Sequence, residues 1–302
     1  MVDNGASRCG FIALIGAPNV GKSTLLNRLV GSKVAIVTHK VQTTRSLLRG
    51  ITLVGSSQLI FIDTPGIFAP KRRLERAMVA GAWAGAHEAD VVGLIVDATR
   101  GLEEETRAIL IGLADIAKPK LLLINKIDLM EKPLLLEISR AANKEIEFAA
   151  TFMISALTGD GAADAKNWLA DHVAPGPWHY PEDQITDAPL RQLAAEITRE
   201  RLFLRLHQEL PYQSTVETDL WQERKDGSIR IEQTIYVERE SQKKIVLGRG
   251  GRTIKAIGSE ARNEIRRMVE TPVHLFLFVK VRESWSDDRE RYHAMGIELP
   301  KA

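Results

Sequence analysis

The sequence predicts an α/β protein followed by a smaller α+β domain, and three observations support this prediction. From residue 10 to about residue 173, short apolar segments alternate with amphipathic helical segments, a pattern typical of a mostly parallel sheet flanked by helices. A proline-rich segment follows. Beyond it the predicted order is helix, strand, strand, helix, glycine-rich loop, helix and strand. We therefore predict a first domain at residues 1–175, a linker at 176–188 and a second domain at 189–302.

The elements of the first domain follow from the positions of its apolar segments. Strands are predicted at residues 11–15, 48–54, 58–62, 91–96, 120–124 and 151–154, and helices at 23–30, 73–86, 103–116, 133–148 and 162–172. In a parallel sheet of this kind, ligands bind at the carboxyl ends of the strands. The polar residues that follow each strand are therefore the candidates for a binding site.

Composition and length limit the class of protein. The chain of 302 residues is long enough for two domains that each bury a core, and its net charge of +2 indicates no class of partner. A single cysteine, Cys9, excludes an internal disulfide framework. No basic segment precedes the first apolar strand, and the apolar runs are shorter than the roughly 20 residues of a membrane span. We expect a monomeric cytoplasmic protein and leave a peripheral contact with the inner membrane open.

The segment behind the first strand fits the phosphate-loop pattern GxxxxGK[ST]. It consists of Gly16, Ala17, Pro18, Asn19, Val20, Gly21, Lys22, Ser23 and Thr24. Glycines let the backbone N–H groups surround a polyphosphate, and the helix that follows presents its positive dipole end. Lys22 is predicted to reach the β- and γ-phosphates, and Ser23 to bind Mg²⁺. The alternative is an accidental match in a glycine-containing loop, which the flanking strand and helix disfavour.

A second polar segment ends the strand at residues 58–62. It consists of Asp63, Thr64, Pro65, Gly66 and Ile67. A carboxylate at Asp63 can hold the water shell of Mg²⁺, and the Gly66 N–H can meet a γ-phosphate. Alone, this segment would be an ordinary turn sequence. Its position behind the phosphate loop predicts a metal and γ-phosphate site.

A third and a fourth segment predict the base. Asn125, Lys126, Ile127 and Asp128 follow the strand at 120–124, and Ser155, Ala156 and Leu157 follow the strand at 151–154. The Asp128 carboxylate can accept paired hydrogen bonds from N–H groups that guanine presents and adenine does not. Asn125 and the Lys126 stem would pack around the base, and a backbone N–H of the last segment would meet the guanine carbonyl. The predicted ligand is GTP or GDP.

A further motif consists of Gln42, Thr43, Thr44 and Arg45. Together with the segments above, it resembles the TrmE–Era branch of translation-factor-class GTPases. The resemblance implies that Thr44 binds Mg²⁺ beside Ser23 and Asp63, and that Lys22, Thr44 and Gly66 take part in catalysis. It also implies K⁺ beside the phosphates, held by Asn19, with Thr38 and Thr43 as further candidates.

Ile67 occupies the position where many GTPases carry a glutamine that orients the attacking water. An aliphatic side chain cannot orient water. We therefore predict slow intrinsic hydrolysis, stimulated by K⁺ or by a partner.

The second domain resembles a type II KH domain because of its element order and its Gly-x-x-Gly loop at residues 248–251. A KH loop clamps the backbone of about four nucleotides. Residues 240–268 contain eight Lys or Arg against three Glu, a local excess of +5. The predicted RNA-binding residues are Lys243, Lys244, Ile245, Gly248, Arg249, Gly250, Gly251, Arg252, Ile254 and Lys255. The alternative is a helix-turn-helix with solvated lysines.

The combined architecture resembles the KH-bearing members of this branch over nearly the whole chain. That resemblance implies a GTP-controlled switch that binds single-stranded RNA at the 3′ end of small-subunit ribosomal RNA and assists maturation of the 30S particle. Three rivals are an RNA-binding module with a purely structural nucleotide domain, a TrmE-like modification enzyme and an ATP-dependent kinase or helicase. The second would need a C-terminal cysteine and an N-terminal folate domain, and Asp128 opposes the third.

Overall fold

The computed structural model describes residues 7–38, 40, 43–45, 47–206, 210 and 213–283. These residues form two compact units. The first comprises described residues up to 35 and from 44 to 187, and the second comprises residues 36–43 and those from 188 onward. The predicted linker at 176–188 therefore groups with the first unit up to Asp187. Gln42 and the part of the predicted second domain from residue 284 onward lie outside the described residues.

The first unit contains a six-stranded sheet in the order β2-β3-β1-β4-β5-β6. Its strands are β1 (Arg8–Ile15), β2 (Leu48–Val54), β3 (Ser57–Asp63), β4 (Val91–Asp97), β5 (Lys120–Asn125) and β6 (Ala150–Ile154). All neighbouring strands run parallel except β2 and β3. Strands β3 and β4 are buried along their whole length, as expected for a sheet covered on both faces. The predicted mostly parallel α/β fold is confirmed.

Five α-helices accompany this sheet within the described part of the first unit. They are α1 (Lys22–Val30), α2 (Arg73–Glu88), α3 (Glu104–Ala114), α4 (Lys132–Glu145) and α5 (Ala162–His172). Helix α4 ends at Glu145 rather than at the predicted residue 148, because Ile146 is extended and Phe148 is buried. The carboxyl ends of β1, β3, β5 and β6 each lead into one of the predicted polar segments.

The proline-rich segment lies against β1, β2 and β3. Isolated bridges pair Arg8 with Pro175 and Gly50 with Thr186. Trp178 donates its indole N–H to the Ser56 carbonyl at 3.0 Å. The segment is thus held by the first unit.

The second unit packs three helices on one face of a three-stranded sheet. The helices are α6 (Leu190–Arg205), α7 (Glu240–Leu247) and α8 (Arg252–Val269), and the strands are β7 (Ser214–Glu223), β8 (Ile229–Val237) and β9 (Val273–Val281). Strand β8 pairs antiparallel with β7 and parallel with β9. The core of the second unit includes the fully buried Leu202, Ile235, Val246 and Ile257. No helix among the described residues is long and apolar enough to span a membrane.

Candidate functional site

The phosphate loop connects β1 to α1 and needs glycine at Gly21. The φ angle of Gly21 is 100°, and a Cβ there would lie 2.3 Å from the Asn125 amide nitrogen. Lys22 is buried, and its Nζ donates to the carbonyls of Gly16 at 3.1 Å and Ala17 at 2.9 Å. Burial lowers the pKa of Lys22 to about 8, and the nearby Asp63 carboxylate opposes this shift. A polyphosphate entering this loop would stabilise the buried ammonium.

Three oxygen-bearing side chains meet beside Lys22. Ser23 Oγ lies 2.7 Å from Asp63 Oδ2, Thr44 Oγ1 lies 3.1 Å from the same oxygen, and the two hydroxyls are 2.9 Å apart. Asp63 is fully buried, and its Oδ1 has no hydrogen-bond partner among the described residues. Burial raises the pKa of Asp63, while hydrogen bonds from the hydroxyls and the charge of Lys22 oppose that shift.

This donor set fits Mg²⁺. The ion prefers hard oxygen ligands, usually one or two carboxylates completed by water and phosphate. A cation would also satisfy the buried Asp63 Oδ1. Within the described residues, no group of three His, Cys, Asp or Glu side chains could hold a metal ion, so the hydroxyls are needed for this site.

The segment after β3 lies against the phosphate loop. Thr64 Oγ1 donates to the Leu14 carbonyl at 2.7 Å, and the Ile67 N–H donates to the Gly16 carbonyl at 3.1 Å. A Cβ at Gly66 would come within 3.0 Å of Pro18. The side chain of Ile67 is buried and aliphatic, so it offers no polar atom to a water molecule.

The predicted base site is assembled around Asn125. Its Nδ2 donates to the Val20 carbonyl at 2.7 Å, and its Oδ1 accepts the Ala156 N–H at 2.9 Å. One side chain therefore connects the phosphate loop, β5 and the segment after β6. Asp128 lies in a short 3₁₀ turn at Ile127–Leu129 and is exposed, as a carboxylate that receives a base must be. Ser155 is buried, whereas Leu157 is exposed.

Asp97, at the carboxyl end of β4, belongs to this site and was not singled out by the sequence analysis. Its Oδ2 accepts from Lys126 Nζ at 2.5 Å, and its Oδ1 accepts from the Thr99 N–H at 3.0 Å and the Thr99 hydroxyl at 2.7 Å. Lys126 has a φ of 66°, which is uncommon for a residue with a side chain. The position of Asp97 at a strand end was the signal that could have identified it.

Two of the residues predicted to bind K⁺ are hydrogen-bonded to each other. The hydroxyls of Thr38 and Thr43 lie 2.6 Å apart, and both residues belong to the second unit. Asn19 lies in the phosphate loop of the first unit with a φ of 64°.

The Gly-x-x-Gly loop joins α7 to α8. Gly248, Gly250 and Gly251 have φ angles of 71°, 61° and 75°, and a Cβ on Gly248 would lie 2.1 Å from the Thr253 hydroxyl. The side chains of Lys244, Arg249, Arg252 and Lys255 are exposed around the loop, and Lys243 lies 3.9 Å from Glu240. Ile245, on the same helix end, is 56% exposed despite being apolar.

A groove lies between α8 and β9 of the same unit. It is lined by Ile254, Lys255, Gly258, Ser259, Arg262 and the segment 275–278. Its walls combine apolar side chains with two cationic ones. Such a surface suits unpaired bases linked by phosphates.

The fold and these sites define a P-loop GTPase joined to a KH domain. A family model described as 50S ribosome-binding GTPase matches residues 11–126, and a KH domain model matches residues 209–286. GTPase Era of Bradyrhizobium sp. (strain ORS 278) is 64% identical over 98% of this chain and 97% of its own length. GTPase Era of Rhizobium meliloti (strain 1021) is 62% identical over 98% of this chain and 94% of its own length. The chain belongs to the Era family of GTPases and is a GTP hydrolase.

Two solved structures extend this comparison. One is Era in complex with MgGDPNP and nucleotides 1506–1542 of 16S ribosomal RNA, and the other is a variant of Aquifex aeolicus Era bound to GDP and AlF4⁻. Each is 36% identical to this chain, covers 96% of it and 99% of its own chain, and superposes with a TM-score of 0.91. The predicted relationship and fold class are confirmed.

Proposed function

We propose that this protein is a GTP-controlled switch that binds single-stranded RNA at the 3′ end of small-subunit ribosomal RNA and assists assembly of the 30S subunit. The observation that carries the proposal is the exposed Gly-x-x-Gly loop at residues 248–251, surrounded by cations. The Era relative with a TM-score of 0.91 was solved with a 16S ribosomal RNA fragment, which supports the choice of RNA.

Within the nucleotide site, each predicted side chain has a role that its position supports. Lys22 holds the β- and γ-phosphates, and Asp128 selects guanine. Ser23, Thr44 and Asp63 hold Mg²⁺, which supplies charge neutralisation of the phosphates when bound. The Gly66 N–H meets the γ-phosphate. The Era relative solved with MgGDPNP supports this ligand pair.

The switch follows from where these groups lie along the chain. Thr44 lies in the loop before β2, and the segment from Asp63 to Ile67 lies in the loop after β3. A bound γ-phosphate and its metal would order both loops at once. The RNA groove then becomes available until hydrolysis of GTP releases both loops.

Intrinsic hydrolysis is expected to be slow because the buried, aliphatic Ile67 cannot orient water. Asn19 of the phosphate loop would hold K⁺ beside the phosphates, and K⁺ or a partner would supply the stimulation. Steady-state phosphate release should rise when Na⁺ is replaced by K⁺ at equal ionic strength. A high rate in Na⁺ alone would contradict this part of the proposal.

Crosslinking to RNA in cells, followed by sequencing of the fragments, tests the RNA partner. Fragments should cluster at the small-subunit 3′ end, and a spread over transfer RNAs would overturn the ribosomal assignment. Gly250→Asp combined with Gly251→Asp should abolish crosslinking, because each carboxylate repels phosphate, while GTP affinity stays unchanged.

Gly227→Asp is the matched control. Gly227 has a φ of 78° and open space around it in the exposed β7–β8 turn, so the backbone strain is comparable without a change at the loop. Crosslinking should persist in this variant.

RNA affinity that is the same with GTP, with GDP and without nucleotide would favour the rival in which the nucleotide domain is only structural.

A further inference from the structure

Strand β9 exposes two aromatic rings on the face of the sheet that the helices do not cover. Leu277 and Val279 pack into the core with α7 and α8, as alternation along a strand requires. Phe276 and Phe278 point to the opposite face and are 44% and 47% exposed. Large apolar side chains two residues apart on an open sheet face are unusual for a surface without a ligand.

The neighbours of these rings suit a polyanion with flat bases. The Arg230 guanidinium lies 5.1 Å from the centre of the Phe276 ring. Glu232, beside it on β8, is paired with Arg230 through a 2.9 Å hydrogen bond, so its charge is neutralised locally. Lys280 follows on the same face of β9 and is exposed. Along β9 itself there is one cation and no carboxylate.

This face is continuous with the RNA groove of the second unit. The segment 275–278 lines the groove beside α8, and the same segment carries both rings. Strand β9 is the edge of the described sheet, so no further strand among the described residues separates its two faces. An RNA chain that leaves the groove across β9 would therefore meet the two phenylalanines next.

We propose that Phe276 and Phe278 form a second RNA-binding surface, on which unpaired bases beyond those held at the Gly-x-x-Gly loop stack. Lys280 attracts the phosphates of these bases, and the Arg230 guanidinium lies over the Phe276 ring beside them. The inference rests on the RNA binding proposed above and extends its footprint. Aromatic rings on an open sheet face are a known means of holding unpaired bases, and stacking is tolerant of sequence.

Binding of two RNA lengths tests the surface. Fluorescence anisotropy would compare unstructured, mixed-sequence RNAs of about four and about eight nucleotides, since the loop alone clamps about four. The full chain should bind the longer RNA at least tenfold more tightly, as expected for about one or two stacked bases. Phe276→Ser combined with Phe278→Ser should remove this gain and leave the affinity for the short RNA unchanged.

Control variants separate stacking from other effects. Phe276→Trp combined with Phe278→Trp should retain the gain, because tryptophan also stacks. Ile111→Ser, which changes an apolar side chain that is 73% exposed in the first unit, should also retain it. A length-dependent gain that survives the double serine change would overturn the inference.

The failure of the inference differs from failure of the proposed function. If Gly250→Asp with Gly251→Asp abolishes binding of the short RNA while the serine variant keeps the length gain, RNA binding stands and the second surface does not. If the unchanged protein binds neither RNA, both fall. A third outcome would assign the face to a second copy of this chain. The unchanged protein would self-associate as its concentration rises, the double serine change would abolish that association, and the gain in affinity for the longer RNA would stay.

Discussion

The ammonium of Lys126 owes its position to a carboxylate on the neighbouring strand. Asp97 is 4% exposed and Lys126 is 31% exposed, so their contact is largely shielded from solvent. Because a charge-assisted hydrogen bond is stronger than a neutral one, Asp97 can hold the Lys126 stem where it would pack on the base. We therefore propose that Asp97 is a positioning residue for the nucleotide.

Asp97→Asn should weaken GDP binding about tenfold, equivalent to roughly 1.4 kcal/mol. The asparagine retains an oxygen for Thr99 but presents an uncharged amide to Lys126. Isothermal titration calorimetry would measure the GDP affinity of Asp97→Asn alone and of Asp97→Asn combined with Lys126→Ala. The two changes together should cost no more than Lys126→Ala alone, because Asp97 acts through Lys126.

Thr99→Val is the control for this cycle. It removes the hydroxyl contact to Asp97 Oδ1 and leaves the Lys126 pair intact, so GDP affinity should be retained. An additive loss in the Asp97 and Lys126 cycle would show that Asp97 has a separate, structural effect.

At the scale of elements, strand β3 connects the proposed Mg²⁺ site to the proline-rich segment. Asp63 ends the strand, and Gln58 lies near its beginning with no exposed surface. Gln58 Oε1 accepts the N–H groups of His179 at 2.9 Å and Tyr180 at 3.1 Å, and its Nε2 donates to the Tyr180 carbonyl at 2.8 Å. The Gln58 side chain therefore provides the hydrogen bonds that a neighbouring strand would otherwise give to the backbone of His179 and Tyr180.

Gln58→Leu should release this segment, because three backbone groups lose their partner. We expect the free energy of local opening to fall by about 2 kcal/mol, which raises opening about thirtyfold. Hydrogen exchange at the His179 and Tyr180 amides would measure it. Gln222→Leu, on an exposed position of β7, should leave these amides protected. Unchanged exchange in Gln58→Leu would contradict the role assigned to this side chain.

Most element positions could be predicted from apolar periodicity, and the ends were less certain. The amphipathic pattern of residues 190–210 predicts a helix of that length, whereas α6 ends at Arg205 because Leu206 is extended and buried. The amphipathic pattern continues there, so only packing could reveal the end. Asp97 was missed for a related reason: its partner lies on another strand and is distant in sequence.

For the whole molecule, the distribution of charge is more informative than its total. The excess of +5 at residues 240–268 is found in a chain whose net charge is +2. Four cations of this segment, Lys244, Arg249, Arg252 and Lys255, are exposed around the Gly-x-x-Gly loop, and the others lie on α7 or further along α8. Affinity for RNA should therefore depend strongly on salt, although the protein as a whole is nearly neutral.

The logarithm of RNA affinity should fall with the logarithm of KCl concentration with a slope of about −3, given about four phosphates and about 0.7 per phosphate. Arg249→Ala should reduce the magnitude of this slope by about 0.7. Lys225→Ala, in the exposed β7–β8 turn, should leave it unchanged. A slope near zero would exclude phosphate contacts as the main source of affinity.

The sequence by itself predicted the two folds, the phosphate loop, the glycine loop and the Asp128 segment proposed to select guanine, because each depends on residues adjacent in the chain. Only the tertiary structure showed the pairing of Asp97 with Lys126, the anchoring by Gln58 and the two open rings of β9. These depend on which strands become neighbours and which face the helices cover. Such contacts join residues far apart in sequence, and local patterns carry no information about their partners.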